Sequence, residues 1–154
     1  MKNLYSAEIV KQPGRSLIGE RTGGPGSEPL EVNVIFTDPQ ATSVALKAAE
    51  SFARGLGAGI RLRAVIVVPV RVPLEQPPVS VRFMEQRLRN LVGQPDPDGP
   101  ELSIHLYVCR NRVEALLQVL KPNSLVVIGG RKHWWPTVAS QMAGALRALS
   151  LIHI

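Results

Sequence analysis

Short apolar segments alternate with amphipathic segments along most of this sequence, and that alternation decides the fold class. We predict strands near residues 32–37, 60–68, 102–108, 124–128 and 151–154, and helices near 39–56, 79–92, 111–120 and 138–149. Strands and helices that alternate in this way are typical of a parallel sheet with helices on both faces. The sequence therefore predicts an α/β domain with a doubly wound, five-stranded sheet. Ligands bind such sheets at the topological switch point, where the strand order reverses.

The helix after the first predicted strand has the clearest local signals. Asp38 is a good N-cap, and Pro39 suits the first helical position. The pattern continues to about Leu56, where glycines that accept the left-handed conformation end the helix. One face of the helix carries apolar residues at helical spacing: Ala41, Ala45, Ala48, Phe52 and Leu56.

The third predicted strand alternates apolar and polar residues from Leu102 to Val108. A strand with one polar face is typical of a position that is half exposed to solvent. We therefore predict that it lies at an edge of the sheet, with His105 and Tyr107 on its other face.

Glycine and proline separate the first part of the chain from the rest. Residues 23–29 read GGPGSEP, which is typical of a flexible linker. We therefore predict a tail or linker over residues 1–29 and one α/β domain over residues 30–154.

Composition limits the location and the class of partner. The 154 residues contain no apolar run long enough to span a bilayer, and the first residues lack the apolar region of a secretory signal. A single cysteine, Cys109, excludes an intramolecular disulfide. These points favour the cytoplasm. The net charge of +6 suits an anionic partner, although a solvated basic surface is an equally simple interpretation.

The segment 124–137, SLVVIGGRKHWWPT, is the strongest candidate for a binding site. No carboxylate follows Glu114, so its cations make a local positive field. The glycines either admit a phosphate to the backbone or form only a tight turn. The residues 131–133 either hold an anion or form a solvated basic loop. The two tryptophans either stack on a ring or fill an empty pocket.

Catalytic patterns are missing from the sequence, so we expect no enzyme. There is no HExxH, GxSxG or GxxxxGK[ST] motif. His105 and His133 have no evident nucleophile or carboxylate partner in the pattern. Arg110 could lower the pKa of the neighbouring Cys109, but packing is the usual role of a cysteine in such a strand.

The order and spacing of these features over residues 32–154 resemble the universal stress protein family. The first strand runs into Thr37–Asp38, a long helix follows, the second strand ends near proline, and the fourth ends in glycine. The family's strand order is 3-2-1-4-5, which places strands one and four side by side. The resemblance implies that Asp38 and a valine ending strand two, Val67 or Val68, lie against an adenine.

The family's nucleotide-binding members carry, after strand four, a glycine, two residues, a glycine, nine residues and then glycine-serine. Gly129 matches the first glycine, but Lys132 stands in place of the second, and Ala139–Ser140 is the nearest counterpart of the final pair. The resemblance implies ATP or another adenine nucleotide, whereas these departures predict that ATP binds weakly or not at all. The candidate binding residues are Asp38, Val68, Gly129, Gly130, Arg131, Lys132 and Ser140.

We therefore expect a non-catalytic regulatory domain of the universal stress type that binds a nucleotide or small anion at the strand 1/strand 4 switch point. The alternative is an interaction module that has lost the nucleotide and is tethered to a transporter or signalling partner. The resemblance also implies a homodimer through the last strand, 151–154. We expect Trp134 or Trp135 to occupy part of the triphosphate position. Nucleic acid ranks last among the partners.

Overall fold

Strands and helices alternate in the structure, a computed structural model that describes residues 30–121 and 124–130 in full and residues 7–11 and 151–153 as backbone. The strands are β1 (Ala7–Lys11), β2 (Glu31–Ile35), β3 (Gly59–Val67), β4 (Leu102–Cys109), β5 (Leu125–Ile128) and β6 (Leu151–His153). The helices within these ranges are α1 (Pro39–Leu56), α2 (Val81–Val92) and α3 (Arg112–Val119). The predicted helix 138–149 lies outside the described residues.

The strands form one parallel sheet in the order β1-β4-β3-β2-β5-β6. Its four central strands confirm the predicted α/β class and place the first four predicted strands in the order 3-2-1-4. From β2 the chain moves outward through β3 to β4, and then returns to β5 on the other side of β2. The topological switch point therefore lies between β2 and β5.

Helices α1 and α2 cover one face of this sheet. That face is apolar on β2, β3 and β4, and it packs against Ala45 and Ala49 of α1 and Leu88 of α2. Helix α3 packs on the other face, where Leu116 and Leu120 contact Ile35, Val126 and Ile128. Among the described residues, no helix is long and apolar enough to cross a membrane.

Both ends of α1 confirm the local prediction. Asp38 has an extended backbone, and its side chain accepts a hydrogen bond from the amide of Ala41, with Pro39 at the start of the helix. Gly57 closes the helix with a left-handed φ of 62°, and its amide donates to the carbonyl of Ala53. A left-handed helix end of this kind favours glycine.

The apolar face predicted for α1 differs from the face that is buried. Phe52 and Leu56 are 36% and 51% exposed, whereas Leu46, Ala49 and Ala53 are buried. Residues four apart drift by about 40° per step around a helix of 3.6 residues per turn. The buried residues Ala41, Ala45, Ala49 and Ala53 follow such a row of four-residue steps. The predicted face instead takes a three-residue step to Ala48, which places Ala48 and Phe52 about 100° around the helix from Ala49 and Ala53.

The predicted edge position of the third strand is wrong. This strand is β4, which pairs with β3 on one side and with β1 on the other. Its polar residues His105 and Tyr107 are buried, at 5% and 6% exposure. They belong to a polar cluster on the face of the sheet that α3 covers. A strand that contributes polar residues to a buried cluster has the same alternating sequence pattern as a strand that exposes them to solvent.

Strand β1 was not among the predicted elements. Residues 7–11 pair in parallel with β4, in a part of the chain where the sequence indicated a tail. A five-residue strand without alternation leaves no periodic signal. The division of the chain at residues 29 and 30 stays a prediction.

Candidate functional site

The carboxyl edge of the sheet has a step beside the switch point. Ile35, the last residue of β2, pairs with Arg63 on one side and with Ile128 on the other, so β2 and β5 end at the same level. Strand β3 continues for four more residues, 64–67, which pair only with β4 among the described strands. At about 3.3 Å per residue, β3 rises roughly 13 Å above the ends of β2 and β5.

The floor of this step is tied together by Thr37. Its hydroxyl donates a 3.0 Å hydrogen bond to the carbonyl of Gly129, which follows β5. Its backbone amide donates to the hydroxyl of Thr42, a fully buried residue of α1. Thr37 therefore joins the ends of two neighbouring strands to the first turns of the helix.

Gly129 is packed directly against α1. A Cβ atom at this position would lie 2.0 Å from the carbonyl oxygen of Ala41, closer than real Cβ contacts permit. The glycine is therefore explained by helix–strand packing, which was neither of the two interpretations drawn from sequence. Gly130, the next candidate, is half-buried.

Asp38 confirms its predicted role as a helix cap. Its carboxylate accepts a 3.0 Å hydrogen bond from the amide of Ala41, and its carbonyl accepts from the amide of Thr42 at 2.9 Å. Pro39 has no amide hydrogen to offer. Of the amides that a helix N-terminus would present to an anion, that of Ala41 is thus already used within α1, and the bond from Thr42 is the first regular bond of the helix. Contact between Asp38 and an adenine stays a prediction.

The two valines considered for the site differ in position. Val68 is 1% exposed, and its amide donates to the carbonyl of Cys109 at 2.8 Å, so it belongs to the core. Val67 is 36% exposed and lies on the raised part of β3. The structure therefore brings Asp38, Gly129, Gly130 and Val67 to one edge of the sheet and buries the side chain of Val68. Arg131, Lys132, Ser140 and both tryptophans lie outside the described residues.

A buried polar cluster on the α3 face was missed at the sequence level. Arg63 donates from Nε to Oδ1 of Asn33 at 2.7 Å and from Nη1 to the hydroxyl of Tyr107. Burial lowers the pKa of Arg63. The His105 imidazole lies 3.0 Å from the hydroxyl of Ser103. This cluster reaches the level of the step, because Arg63 is in register with Ile35 and Tyr107 with Val65. Within the described residues, its buried polar side-chain atoms all have hydrogen-bond partners.

Charge and burial set the protonation of the other titratable groups in this region. Burial, with the nearby charges of Arg63 and Arg61, lowers the pKa of His105 to about 4. Burial raises the pKa of the Cys109 thiol, which donates to the carbonyl of Asn111 at 3.3 Å. Cys109 is therefore a packed thiol rather than an activated nucleophile. Within the described ranges, no three His, Cys, Asp or Glu side chains are grouped to hold a metal ion.

Two clefts lie at the opposite, amino edge of the strands. One includes Arg61, its ion-pair partner Glu31, and Glu101. The other includes Arg54, which pairs with Asp96 at 2.9 Å. Because each cleft combines both signs of charge, neither makes the single-sign field that would favour a charged ligand.

Comparison with known proteins does not assign this chain to a family, so the functional proposal depends on the fold and on the step beside the switch point. No protein-family model matches the chain, and no curated protein matches it.

Proposed function

We propose that this chain is a regulatory binding domain of the universal stress type, non-catalytic and cytoplasmic, that takes an adenine nucleotide with low affinity. The observation that carries the proposal is the step at the switch point, where β3 rises above β2 beside Thr37 and Asp38. A flat purine ring suits a shallow notch that has a valine, Val67, on its wall. The proposal includes the order 3-2-1-4-5 for the five strands predicted from sequence, with β1 as a sixth strand beside β4, and a role in a stress response.

We expect low affinity because hydrogen-bonding groups near the step already have partners within the protein. The hydroxyl of Thr37 and the amides of Ala41 and Thr42 already have partners. Phosphate contacts must therefore come from Gly130 and from the cations Arg131 and Lys132 that follow it in the sequence. We expect the base to contribute most of the binding and the dissociation constants to lie in the high micromolar range or weaker.

Thermal denaturation with ATP, AMP, adenosine and sulfate tests this proposal. Millimolar ligand is at most about ten times the proposed dissociation constant, so it should add at most about 1.4 kcal/mol to the free energy of unfolding. The three adenine compounds should raise the melting temperature at millimolar concentration, whereas sulfate should not. GTP serves as the control for base recognition. No shift with any adenine compound would contradict the proposal and leave the interaction module as the better reading.

A second function, self-association, is favoured by the position of β6. Residues 151–153 pair in parallel with β5 and end the sheet, so a second chain could extend it there. The sequence there is apolar at positions 151, 152 and 154. Sedimentation of the whole chain and of a chain that lacks residues 151–154 tests the idea. We expect a dimer that the deletion weakens, and a monomer at high micromolar concentration would remove this function.

A further inference from the structure

Arg110, the residue after β4, binds the loop that follows β3. Its Nη1 atom donates to the carbonyls of Val68 at 3.3 Å, of Val72 at 2.7 Å and of Pro69. The side chain therefore brings a positive charge to three backbone oxygens of one short segment. Charge-assisted hydrogen bonds of this kind are stronger than those between neutral groups.

The segment held by Arg110 is a pair of consecutive turns. In the first turn the amide of Val72 donates to the carbonyl of Pro69 at 2.9 Å, and in the second the amide of Gln76 donates to that of Pro73 at 3.0 Å. The side chains of Val72 and Leu74 pack against the core. The part of the loop between the sheet and Val72 is open to solvent, where Val70 is 85% exposed.

This double turn directly follows the four residues of β3 that rise above β2. It begins after Val68 at the carboxyl edge of the sheet, on the strand whose raised end borders the step. Residues 68–76 contain two prolines, which restrict the backbone, but proline has no amide hydrogen with which to anchor a loop. The contacts that tie the start of this loop to the neighbouring strand are those of Arg110, together with the bond from the Val68 amide to the Cys109 carbonyl.

We propose that Arg110 is a positioning residue that holds the double turn 69–76 rigid as the upper wall of the nucleotide notch. The idea that the double turn forms a wall of the notch (the wall) rests on the proposed function. The idea that Arg110 holds the double turn in place (the clamp) does not. All three contacts come from Nη1, which carries two N–H groups, so one hydrogen is shared between carbonyls. A lysine ammonium has three N–H groups on a differently shaped side chain, so we expect it to keep part of this set. Removal of the guanidinium should loosen the loop and so weaken binding of a ligand packed beside it.

Hydrogen exchange on the whole chain tests the clamp. In Arg110→Ala, the amides of Val72 and Gln76 should exchange about tenfold faster or more, while amides in the middle of β3 and β4 keep their rates. Arg110→Lys should give a smaller increase, and it serves as the readout if the alanine variant folds poorly. Arg82→Ala, which removes an exposed arginine from α2, is the matched control and should change neither amide.

AMP affinity, measured by calorimetry on the same variants, tests the wall. A severalfold weaker affinity in Arg110→Ala, with unchanged affinity in Arg82→Ala, supports the whole proposal. Unchanged exchange at Val72 overturns the clamp. Faster exchange with unchanged AMP affinity overturns the wall. If the unsubstituted chain binds no adenine compound, the proposed function fails and the wall fails with it, and the exchange data still decide the clamp.

Discussion

Gly129 lies so close to Ala41 that a Cβ atom on the glycine would be 2.0 Å from the alanine carbonyl oxygen. This contact joins the end of β5 to the first turn of α1 across the switch point. Together with the hydrogen bonds of Thr37 to Gly129 and Thr42, it packs the ends of β2 and β5 against the helix.

Substitution of this glycine should destabilise the protein strongly. Gly129→Ala places a methyl group against rigid backbone, and we expect the free energy of unfolding to fall by about 3 kcal/mol. Gly55→Ala is the matched control, because a Cβ atom there meets nothing within 4 Å and the position is helical. The control should be neutral or more stable by up to about 1 kcal/mol. Urea denaturation measures both, and equal midpoints for the two variants would contradict the packing argument.

Loss of the Thr37 hydroxyl should also weaken the switch point. Thr37→Val keeps the shape of the side chain but removes the donor to the Gly129 carbonyl, so we expect a loss of about 1 kcal/mol or somewhat more. Thr37→Ser retains the hydroxyl and should cost less. Chemical denaturation of the two variants separates hydrogen bonding from packing. A valine variant as stable as the unsubstituted protein would contradict the role of the hydrogen bond.

Two substitutions of Asp38 can separate its role as a helix cap from contact with a ligand. Asp38→Ala removes the acceptor for the Ala41 amide and should cost about 1 kcal/mol of stability. Asp38→Asn keeps a good N-cap while removing the charge, so its stability should stay close to that of the unsubstituted protein. Changed adenosine affinity in the stable asparagine variant, measured by calorimetry, would place Asp38 at the ligand. Equal affinities would leave it a cap alone.

Acid should destabilise the fold through His105. Its pKa is about 4 in the folded protein, below the ordinary value of 6.5, because burial and two arginines disfavour the charged ring. The unfolded chain therefore binds a proton first as the pH falls. Stability should be fully present above pH 6.5 and decline down to about pH 4, by roughly 2 kcal/mol once solvent screening is allowed for.

The variant His105→Gln isolates this contribution. Its free energy of unfolding should depend less on pH between 6.5 and 4 than that of the unsubstituted protein. Denaturant titrations at several pH values measure the difference. Parallel pH profiles for the two proteins would show that His105 titrates normally in the fold.

The sequence by itself determined the elements that depend on near neighbours. Asp38 and Pro39 begin α1, and Gly57 ends it, because caps involve residues within about one helical turn. The apolar runs of β3 and β5 likewise identified buried strands, and their alternation with helices predicted a parallel sheet. The order of the four central strands was predicted from the family resemblance.

Only the tertiary structure determined which residues come together at the candidate site. Thr37 meets Gly129 across 92 residues, and Arg110 meets Val68 across 42. No local pattern encodes such contacts, since they depend on how far each strand runs past its neighbour and on which atoms then face one another. The same reason explains β4, where polar residues that bond to Arg63 and Ser103 inside the protein look, in sequence, like residues that face water.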